Sequence, residues 1–223
     1  MEKGYLITGT DTDVGKTWAT IALMHHFKSQ GKSVVGMKPV ASGCFMHEGQ
    51  LKNEDALLIQ ENASVKLDYD LINPYAYELP VSPHLAGIKN PVILNEVALR
   101  FEALKELADI VLVEGAGGWC TPLNEREDIS DLAKSLALPV IMVVAIRLGC
   151  INHAKLTYQA IKRSGVKCAG WIAMCTDPDL LSRDENIQTI KTALDASLLG
   201  VLPYMEVADF SFLSEQLSMP TGQ

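Results

Sequence analysis

The feature that most constrains this chain is a glycine-bounded loop near its N-terminus, with an apolar run before it and helix-forming residues after it. The loop covers residues 9–17 and reads Gly-Thr-Asp-Thr-Asp-Val-Gly-Lys-Thr. Its glycines let the backbone approach a ligand closely, and the helix that follows offers a partial positive charge at its N-terminus. A strand, such a loop and a helix in succession predict an α/β fold with a site for the phosphates of a nucleotide.

Two residues of this loop carry the expected chemistry. Lys16 is expected to neutralise the β- and γ-phosphates, while the hydroxyl of Thr17 binds Mg²⁺. The spacing departs from the usual pattern, because five residues rather than four separate Gly9 from Gly15. Thr10 then stands where the first glycine is expected, so its backbone must take over that role. A chance glycine-rich turn is the alternative, and the intact Gly-Lys-Thr between strand and helix disfavours it.

The apolar runs along the rest of the chain predict a mostly parallel sheet. They do not alternate apolar with polar residues, which is typical of strands covered on both faces. The predicted strands are residues 5–8, 33–37, 110–113, 140–145, 169–173 and 198–202. Helical patterns lie between most of them, at residues 16–30, 96–108, 129–136, 152–164 and 184–195. This alternation predicts a P-loop NTPase-like, three-layer αβα fold, which we expect to form one domain over residues 1–223.

One segment interrupts the alternation. Residues 63–91 are rich in proline and show weak periodicity. The segment is too long for a plain connection, so we expect an irregular piece of chain that covers a functional site. The tail at residues 212–223 shows no clear pattern, and we assign it no structure.

Composition limits the classes of function. With 48% hydrophobic residues, the chain has enough apolar material for a sizeable core. Its net charge of −8 argues against binding to nucleic acid, although it allows a local basic pocket for phosphates. The sequence shows neither an apolar run of about 18 residues nor a signal peptide, so we expect no membrane span and no export. Its five cysteines include no Cys-x-x-Cys pair, which favours reduced thiols in a cytoplasmic protein.

Two acidic residues are candidate ligands of the Mg²⁺ ion. Glu114 follows the predicted strand at residues 110–113 and precedes a run of small residues, so its carboxylate is expected to face the nucleotide. The alternative is an acid that merely ends a strand before a glycine-rich turn. Asp55 is a second candidate, but its position alone is better explained by an ordinary acid near a helix start.

A lysine ends the second predicted strand. Lys38 precedes Pro39, which stops the strand and turns the chain. The carboxyl ends of neighbouring parallel strands lie beside the phosphate loop, so Lys38 is placed to reach a transferring phosphoryl group. A solvated lysine at a strand end fits the sequence equally well. Ser42 follows in a turn of small residues, where it either hydrogen-bonds a ligand or caps the turn.

Several stretches spread over essentially the whole chain resemble the dethiobiotin synthetases. They are residues 8–17, 38–43, 53–56, 73–75, 82–84, 113–119 and 148–154. The extra residue in the phosphate loop is itself a mark of that family. The resemblance implies a homodimeric enzyme of biotin synthesis that takes 7,8-diaminononanoate, CO₂ and MgATP. Such enzymes make dethiobiotin, ADP and phosphate through a carbamate and a carbamic-phosphoric anhydride.

The resemblance also implies roles for individual residues. Those expected to act in catalysis are Lys38, Lys16 and Thr10, and those expected to hold the metal are Thr17, Asp55 and Glu114. Those expected to bind the diamine and its carbamate are Ser42, Thr10 and Pro80, with Gly149, Cys150 and Asn152 on the distant carboxylate, partly across the subunit boundary. Those expected to bind the nucleotide are Asp13, Val14, Gly15, Lys16, Thr17, Trp18, Asp55, Glu114, Gly115, Ala116, Gly117, Met174, Cys175, Pro203, Tyr204 and Met205.

One departure from the family concerns the nucleotide base. The family commonly places Asn-Asp after its Trp-(Val/Ile)-Ala strand, and that Asn reads the adenine edge. Here Met174 and Cys175 follow Trp-Ile-Ala, so the side-chain amide is missing. Adenine must then be read by backbone groups or less strictly, and we expect relaxed selectivity for the base.

Two other classes of P-loop protein are weighed against this interpretation. A switch or partition ATPase of the MinD/ParA type would carry a second lysine early in the loop, and residues 10–14 contain none. It would also favour a membrane or DNA surface, for which the sequence shows no amphipathic terminal helix or basic patch. A small-molecule kinase would need mobile lid arginines, and Arg183 is the only arginine after residue 165.

Overall fold

The computed structural model describes residues 3–219, which leaves residues 220–223 of the unassigned tail outside the described part. Its strands are β1 (Gly4–Gly9), β2 (Val34–Met37), β3 (Val40–Ser42), β4 (Phe45–His47), β5 (Gln50–Lys52), β6 (Tyr75–Tyr77), β7 (Ile110–Gly118), β8 (Val140–Ala145), β9 (Cys168–Met174) and β10 (Leu198–Leu202). Its helices are α1 (Lys16–Ser29), α2 (Glu54–Glu61), α3 (Tyr69–Ile72), α4 (Pro83–Ala86), α5 (Leu94–Lys105), α6 (Ile129–Ser135), α7 (Cys150–Arg163), α8 (Arg183–Ala193) and α9 (Phe210–Glu215).

A six-stranded sheet in the order β10-β9-β8-β1-β7-β2 forms the centre of the fold. All of its neighbouring strands pair in parallel, which confirms the predicted strands and their direction. Every residue of β2 and of β8 is buried, as the non-alternating apolar runs predict. The sheet therefore lies in the middle of the core.

Helices cover both faces of this sheet. Helices α2 and α9 both contact α1, while α5 contacts α6 and α7 contacts α8. Right-handed crossovers put α1 on one face and α5, α6, α7 and α8 on the other, because the chain steps outward from β1 to β2 and then runs in the opposite direction through β7, β8, β9 and β10. These layers confirm the predicted αβα architecture. Within residues 3–219, no helix combines the length and apolar character needed to cross a bilayer.

Several element boundaries differ from the predictions, and local contacts explain two of the differences. Strand β7 runs to Gly118 instead of residue 113, because its last residue still pairs with Gly9 of β1. Helix α7 begins at Cys150 instead of residue 152, because Gly149 forms its N-cap in the left-handed region with φ 92°. Helix α2 is anticipated only as a helix start near Asp55, and it is too short for a clear periodic pattern.

The proline-rich segment at residues 63–91 is more regular than its sequence predicts. It contains α3, β6 and α4, and β6 pairs in parallel with β3. The beginning of the unassigned tail is also ordered, because α9 packs on α1 and Leu217 forms a bridge with Gly200. Both segments thereby become part of the framework around the sheet.

Candidate active site

The phosphate loop leaves the carboxyl end of β1, where the connections of the sheet change direction. From β1 the chain crosses to β2 on one side, and from β7 it crosses to β8 on the other. In parallel α/β sheets, such a switch point opens a crevice beyond the carboxyl ends of the strands. The loop therefore lies where this kind of fold binds ligands.

Backbone geometry gives the loop its bend. Asp13, with φ 54°, and Gly15, with φ 84°, both lie in the left-handed region, and Gly15 caps α1. Gly9 has no room for a side chain, because a Cβ there would lie 2.6 Å from Val14 Cγ2 and 2.8 Å from the Asp11 carbonyl oxygen. The loop thus closes tightly on itself at Gly9, while Gly15 packs against Met174 at the end of β9.

The backbone of Thr10 anchors the phosphate loop to the sheet. Its N–H donates to the Val143 carbonyl at 3.0 Å, which anchors the loop to β8. This N–H is therefore committed to the protein, while the part of Thr10 in place of the first glycine stays a prediction. Gly9 makes a close approach to Val14 and Asp11.

Lys16 opens helix α1 and turns its ammonium group back into the loop. Its Nζ donates to the Asp11 carbonyl at 2.9 Å. Burial, and secondly the charge of Lys38, lower the pKa of Lys16 to about 8. An anion entering the loop would favour the charged form of this amine, so the loop is suited to a phosphate.

Lys38 extends from the end of β2 toward the same loop and lies between two carboxylates. Its Nζ is 3.0 Å from Asp55 Oδ2 and also contacts Glu114 Oε1. Lys38 is only 5% exposed and Glu114 is fully buried. Burial alone would lower the pKa of Lys38, but Glu114 and Asp55 outweigh it and raise that pKa above its ordinary value.

Burial and a neighbouring opposite charge also act on the pKa of Asp55. Burial would raise the pKa of Asp55, and the charge and hydrogen bond of Lys38 more than offset this, so the pKa is lowered. Lys38 and Asp55 therefore carry their charges at neutral pH.

The donor atoms beside Lys38 fit Mg²⁺. Thr17 Oγ1 donates to Glu114 Oε1 at 3.0 Å, and the other oxygen of Glu114 is buried without a hydrogen-bond partner among the described residues. One hydroxyl and the carboxylates of Asp55 and Glu114 are the hard oxygen ligands that Mg²⁺ takes together with phosphate oxygens. In the part of the chain that the structure describes, no cluster of three or more His, Cys, Asp or Glu side chains offers a separate metal site. A metal at this position would share its coordination with the nucleotide.

A cavity of about 1180 Å³ joins these groups. It collects predicted site residues from the phosphate loop, α1, the residue after β2, β3, α2, the proline-rich segment and β7. These are Thr10, Asp13, Gly15, Lys16, Thr17, Trp18, Lys38, Ser42, Asp55, Pro80, Glu114, Ala116 and Gly117. The hydroxyl of Ser42 is buried and makes no hydrogen bond to another described residue, which leaves it free for a ligand. The roles of these residues remain predictions, although their juxtaposition is now observed.

Val14 and Gly115 lie behind the wall of this cavity. Val14 is buried against Gly9, and a Cβ on Gly115 would meet Ile129 at 3.3 Å. Both residues therefore shape the backbone of the site from behind.

The predicted base-binding residues lie at the same edge of the sheet but outside the cavity lining. Met174 ends β9 and packs under the phosphate loop. A Cβ on Gly15 would lie 2.7 Å from the Cγ of Met174. Met174 and Cys175 are both buried, and Tyr204 is half-exposed in the segment that follows β10 with Pro203 and Met205. Burial also raises the pKa of the Cys175 thiol. Met174 and Cys175 thus present no charged or amide group to a base.

Gly149, Cys150 and Asn152 begin α7 and also lie outside the lining of the cavity. The same helix reaches the cavity with a later turn, through Leu156, Thr157 and Ala160. Cys150 is buried, whereas Asn152 is exposed on the surface. The predicted carboxylate site is therefore not completed by these residues within one chain.

Several residues that shape the site were missed by the sequence interpretation. The cavity is also lined by Asp11, Thr12, Val40, Ala41, Asn53, Val81, Ser82, Pro83 and Gly118 through Pro122. Thr121 explains why residue 117 is a glycine. Its Oγ1 accepts from the Gly118 N–H at 2.8 Å and lies where a side chain on Gly117 would clash with it. The glycine-rich run after Glu114 signalled a ligand nearby, but not the turn that folds back over it.

Comparisons with known proteins assign the chain to a family. A family model described as an AAA domain matches residues 3–210. The ATP-dependent dethiobiotin synthetase of Aromatoleum aromaticum is 43% identical over 98% of this chain and 98% of its own length. The corresponding protein of Nitrosospira multiformis is 45% identical over 98% of this chain and 96% of its own length.

Solved structures support the fold at much lower identity. The MinD cell division protein of Aquifex aeolicus aligns with a TM-score of 0.58 and 19% identity over 96% of this chain and 88% of that chain. FtsY of Thermotoga maritima aligns with a TM-score of 0.56 and 14% identity over 96% of this chain and 68% of that chain. These likenesses concern the fold alone, whereas the sequence relatives share the whole length. The chain belongs to the ATP-dependent dethiobiotin synthetases, within the AAA domain family.

Proposed function

We propose that this chain closes 7,8-diaminononanoate and CO₂ into dethiobiotin, with ATP converted to ADP and phosphate. One observation carries the proposal: Lys38, a second buried cation, lies with Asp55 and Glu114 beside the phosphate loop. A protein that only hydrolysed ATP would need one anion site, for the nucleotide. A second lysine at the same cavity supports a second anion, the carbamate, next to the γ-phosphate.

The proposed reaction has three steps. One amine of the substrate attacks CO₂ and loses a proton, which gives a carbamate. A carbamate oxygen then attacks the γ-phosphorus, the bond to ADP breaks, and a carbamic-phosphoric anhydride forms. The second amine attacks the carbonyl carbon, the C–O bond to phosphate breaks, and loss of a proton completes the cyclic urea.

Electrostatics assigns the roles of the two lysines. Two like charges about 4 Å apart at an effective dielectric near 20 repel by roughly 4 kcal/mol. Lys16 on the phosphate side and Lys38 on the carbamate side would offset this repulsion and stabilise the phosphoryl group in transfer. Mg²⁺ bound by Thr17, Asp55 and Glu114 would neutralise further phosphate charge.

Positioning accounts for the last step. The attacking amine and the activated carbon belong to the same molecule, so holding them in line supplies most of the catalysis. Ser42, whose buried hydroxyl makes no hydrogen bond within residues 3–219, is suited to hold the carbamate or the adjacent amine. Thr10 and Pro80 line the same cavity and complete the proposed binding site for the diamine end.

We also propose a cytoplasmic homodimer, without nucleic acid or membrane as partner. Gly149, Cys150 and Asn152 do not reach the cavity of their own chain, and the neighbouring Leu148 is 92% exposed. A second copy that covers this apolar residue would bring the start of α7 to the substrate's carboxylate, which a helix N-terminus attracts. Light scattering should give twice the chain mass of 24.3 kDa; a monomer that forms dethiobiotin would contradict this arrangement.

An assay with ¹³C-labelled bicarbonate tests the proposed reaction. The protein is incubated with diaminononanoate, ¹³C-bicarbonate and MgATP, and the product is read by mass together with ADP release. A cyclic urea that carries the label, with ADP release only when the diamine is present, is the expected result. ATP hydrolysis without the diamine would favour a switch ATPase, and a stable phosphorylated diamine would favour a small-molecule kinase. Lys16→Met should abolish the reaction, whereas Lys28→Met, on the same helix but outside the cavity, should retain it.

A further inference from the structure

We propose that Tyr69 and Asn73 are positioning residues that hold Lys38 and Asp55 in the arrangement needed for phosphoryl transfer, an inference that rests on the function proposed above. Both residues belong to α3 or its C-cap. Neither is among the described residues that line the cavity, so neither is expected to touch substrate. Their influence must pass through the backbone of the segments that do.

The first connection is to Lys38. Lys38 follows the end of β2 and precedes Pro39, which has no N–H for a sheet hydrogen bond. Both polar groups of the Lys38 backbone are instead bound by α3 and its cap. The N–H donates to the Ile72 carbonyl at 2.9 Å, and the carbonyl accepts from Asn73 Nδ2 at 2.7 Å. The direction in which the Lys38 side chain leaves the sheet is therefore set by α3.

The second connection is to Asp55. Asn53 is the N-cap of α2, and its side chain accepts from the Ala56 N–H at 3.3 Å. The Asn53 N–H in turn donates to the Tyr69 hydroxyl at 2.8 Å. The first turn of α2, which carries Asp55, is therefore fixed at its start by Tyr69.

One hydrogen bond joins the two connections. The Tyr69 hydroxyl donates to Asn73 Oδ1 at 2.9 Å, so a single chain of contacts runs from the Asn53 N–H to the Lys38 carbonyl. Tyr69 and Asn73 are both buried, where water cannot replace a lost contact. Burial also raises the pKa of Tyr69 to about 12, so the hydroxyl keeps the proton that it donates. This series of hydrogen bonds connects the backbone segments that carry Lys38 and Asp55, and Lys38 Nζ lies 3.0 Å from Asp55 Oδ2.

The matched pair Tyr69→Phe and Tyr75→Phe tests this role. Tyr75 is also buried, and its hydroxyl also accepts from a backbone N–H, that of Ile93, and donates to a side chain, Glu96, but away from the cavity. Tyr69→Phe should lower kcat at least about tenfold through misplaced groups, with KM for ATP within about threefold, since the phosphate loop is untouched. Tyr75→Phe should keep kcat within about twofold at a similar loss of thermal stability.

A second measurement does not depend on turnover. Lysine amidination of the nucleotide-free protein, followed by peptide mass, should modify Lys38 faster in Tyr69→Phe and in Asn73→Ala than in wild type or Tyr75→Phe. Equal Lys38 modification rates and equal kcat in the two tyrosine variants would overturn the inference. A wild-type protein that forms no dethiobiotin would instead overturn the proposed function, while the amidination rates would still decide whether Tyr69 and Asn73 position Lys38.

Discussion

Lys38 and Glu114 form a buried ion pair across two neighbouring strands of the sheet. Met37, the last residue of β2, pairs with Val113 of β7, so the residues that follow each of them lie side by side. Lys38 leaves the sheet at this point, while Glu114 continues in β7, and their charged ends meet above the phosphate loop. The register of one strand pair thus brings the proposed catalytic cation to the proposed metal ligand.

Replacing Lys38 should separate nucleotide binding from catalysis. Lys38→Gln removes the cation that faces the carbamate and leaves Lys16 and the loop in place, so ADP should still bind. Turnover should fall by about 10²-fold or more, the usual effect of losing one group that stabilises developing charge. Single-turnover kinetics and ADP titration measure the two effects. Near-normal turnover would remove Lys38 from the mechanism.

Replacing Glu114 should change the response to metal. Glu114→Gln keeps the shape of the side chain but removes the charge that a hard cation requires. The Mg²⁺ concentration for half-maximal activity should rise by about tenfold or more, as for loss of one ligand or its support. Glu96→Gln, on α5 outside the cavity, is the control and should leave the titration unchanged. An unaltered Mg²⁺ titration in Glu114→Gln would exclude Glu114 as a ligand.

The site residues at the carboxyl ends of the strands could be predicted from the sequence, whereas the contacts between distant segments could not. The alternation of strands and helices is enough to bring Lys16, Lys38 and Glu114 to one edge of the sheet. Asp55 is different, because its place depends on the N-cap of α2 and on the distant Tyr69 hydroxyl. Likewise, no local pattern tells that Thr10 donates to Val143. Such contacts join segments that only the finished fold brings together.

The nucleotide base should be recognised weakly. Met174 packs under Gly15 and Cys175 is buried, so neither offers the paired donor and acceptor that distinguish adenine from other bases. Values of kcat/KM for ATP, GTP and CTP should lie within about tenfold of one another, since a missing hydrogen-bonding group removes the main basis of discrimination. Met174→Asn should widen the gap in favour of ATP. A preference for ATP as large in the wild type as in Met174→Asn would refute this prediction.

Helix α6 should be sensitive to its N-cap. The Asp128 side chain accepts from the N–H groups of Ser130 and Asp131, and the Asp131 carboxylate in turn accepts from the Asp128 N–H. Asp128→Ala should lower the free energy of unfolding by about 1 kcal/mol, because it leaves these donors without their cap. Asp128→Asn keeps a side-chain acceptor, so its free energy of unfolding should fall by clearly less than that of Asp128→Ala. Urea unfolding of both variants makes the comparison, and equal losses would show that the cap is not the cause.

The measurement that tests the central claim most directly follows an oxygen atom from CO₂ to phosphate. If ATP activates a carbamate, one carbamate oxygen stays on the phosphorus when the ring closes. With ¹⁸O-labelled CO₂, read at short times before exchange with water, the released phosphate should carry one labelled oxygen for each ring formed. Phosphate without label, released at the same rate as dethiobiotin, would mean that water takes the γ-phosphoryl group and would contradict this account.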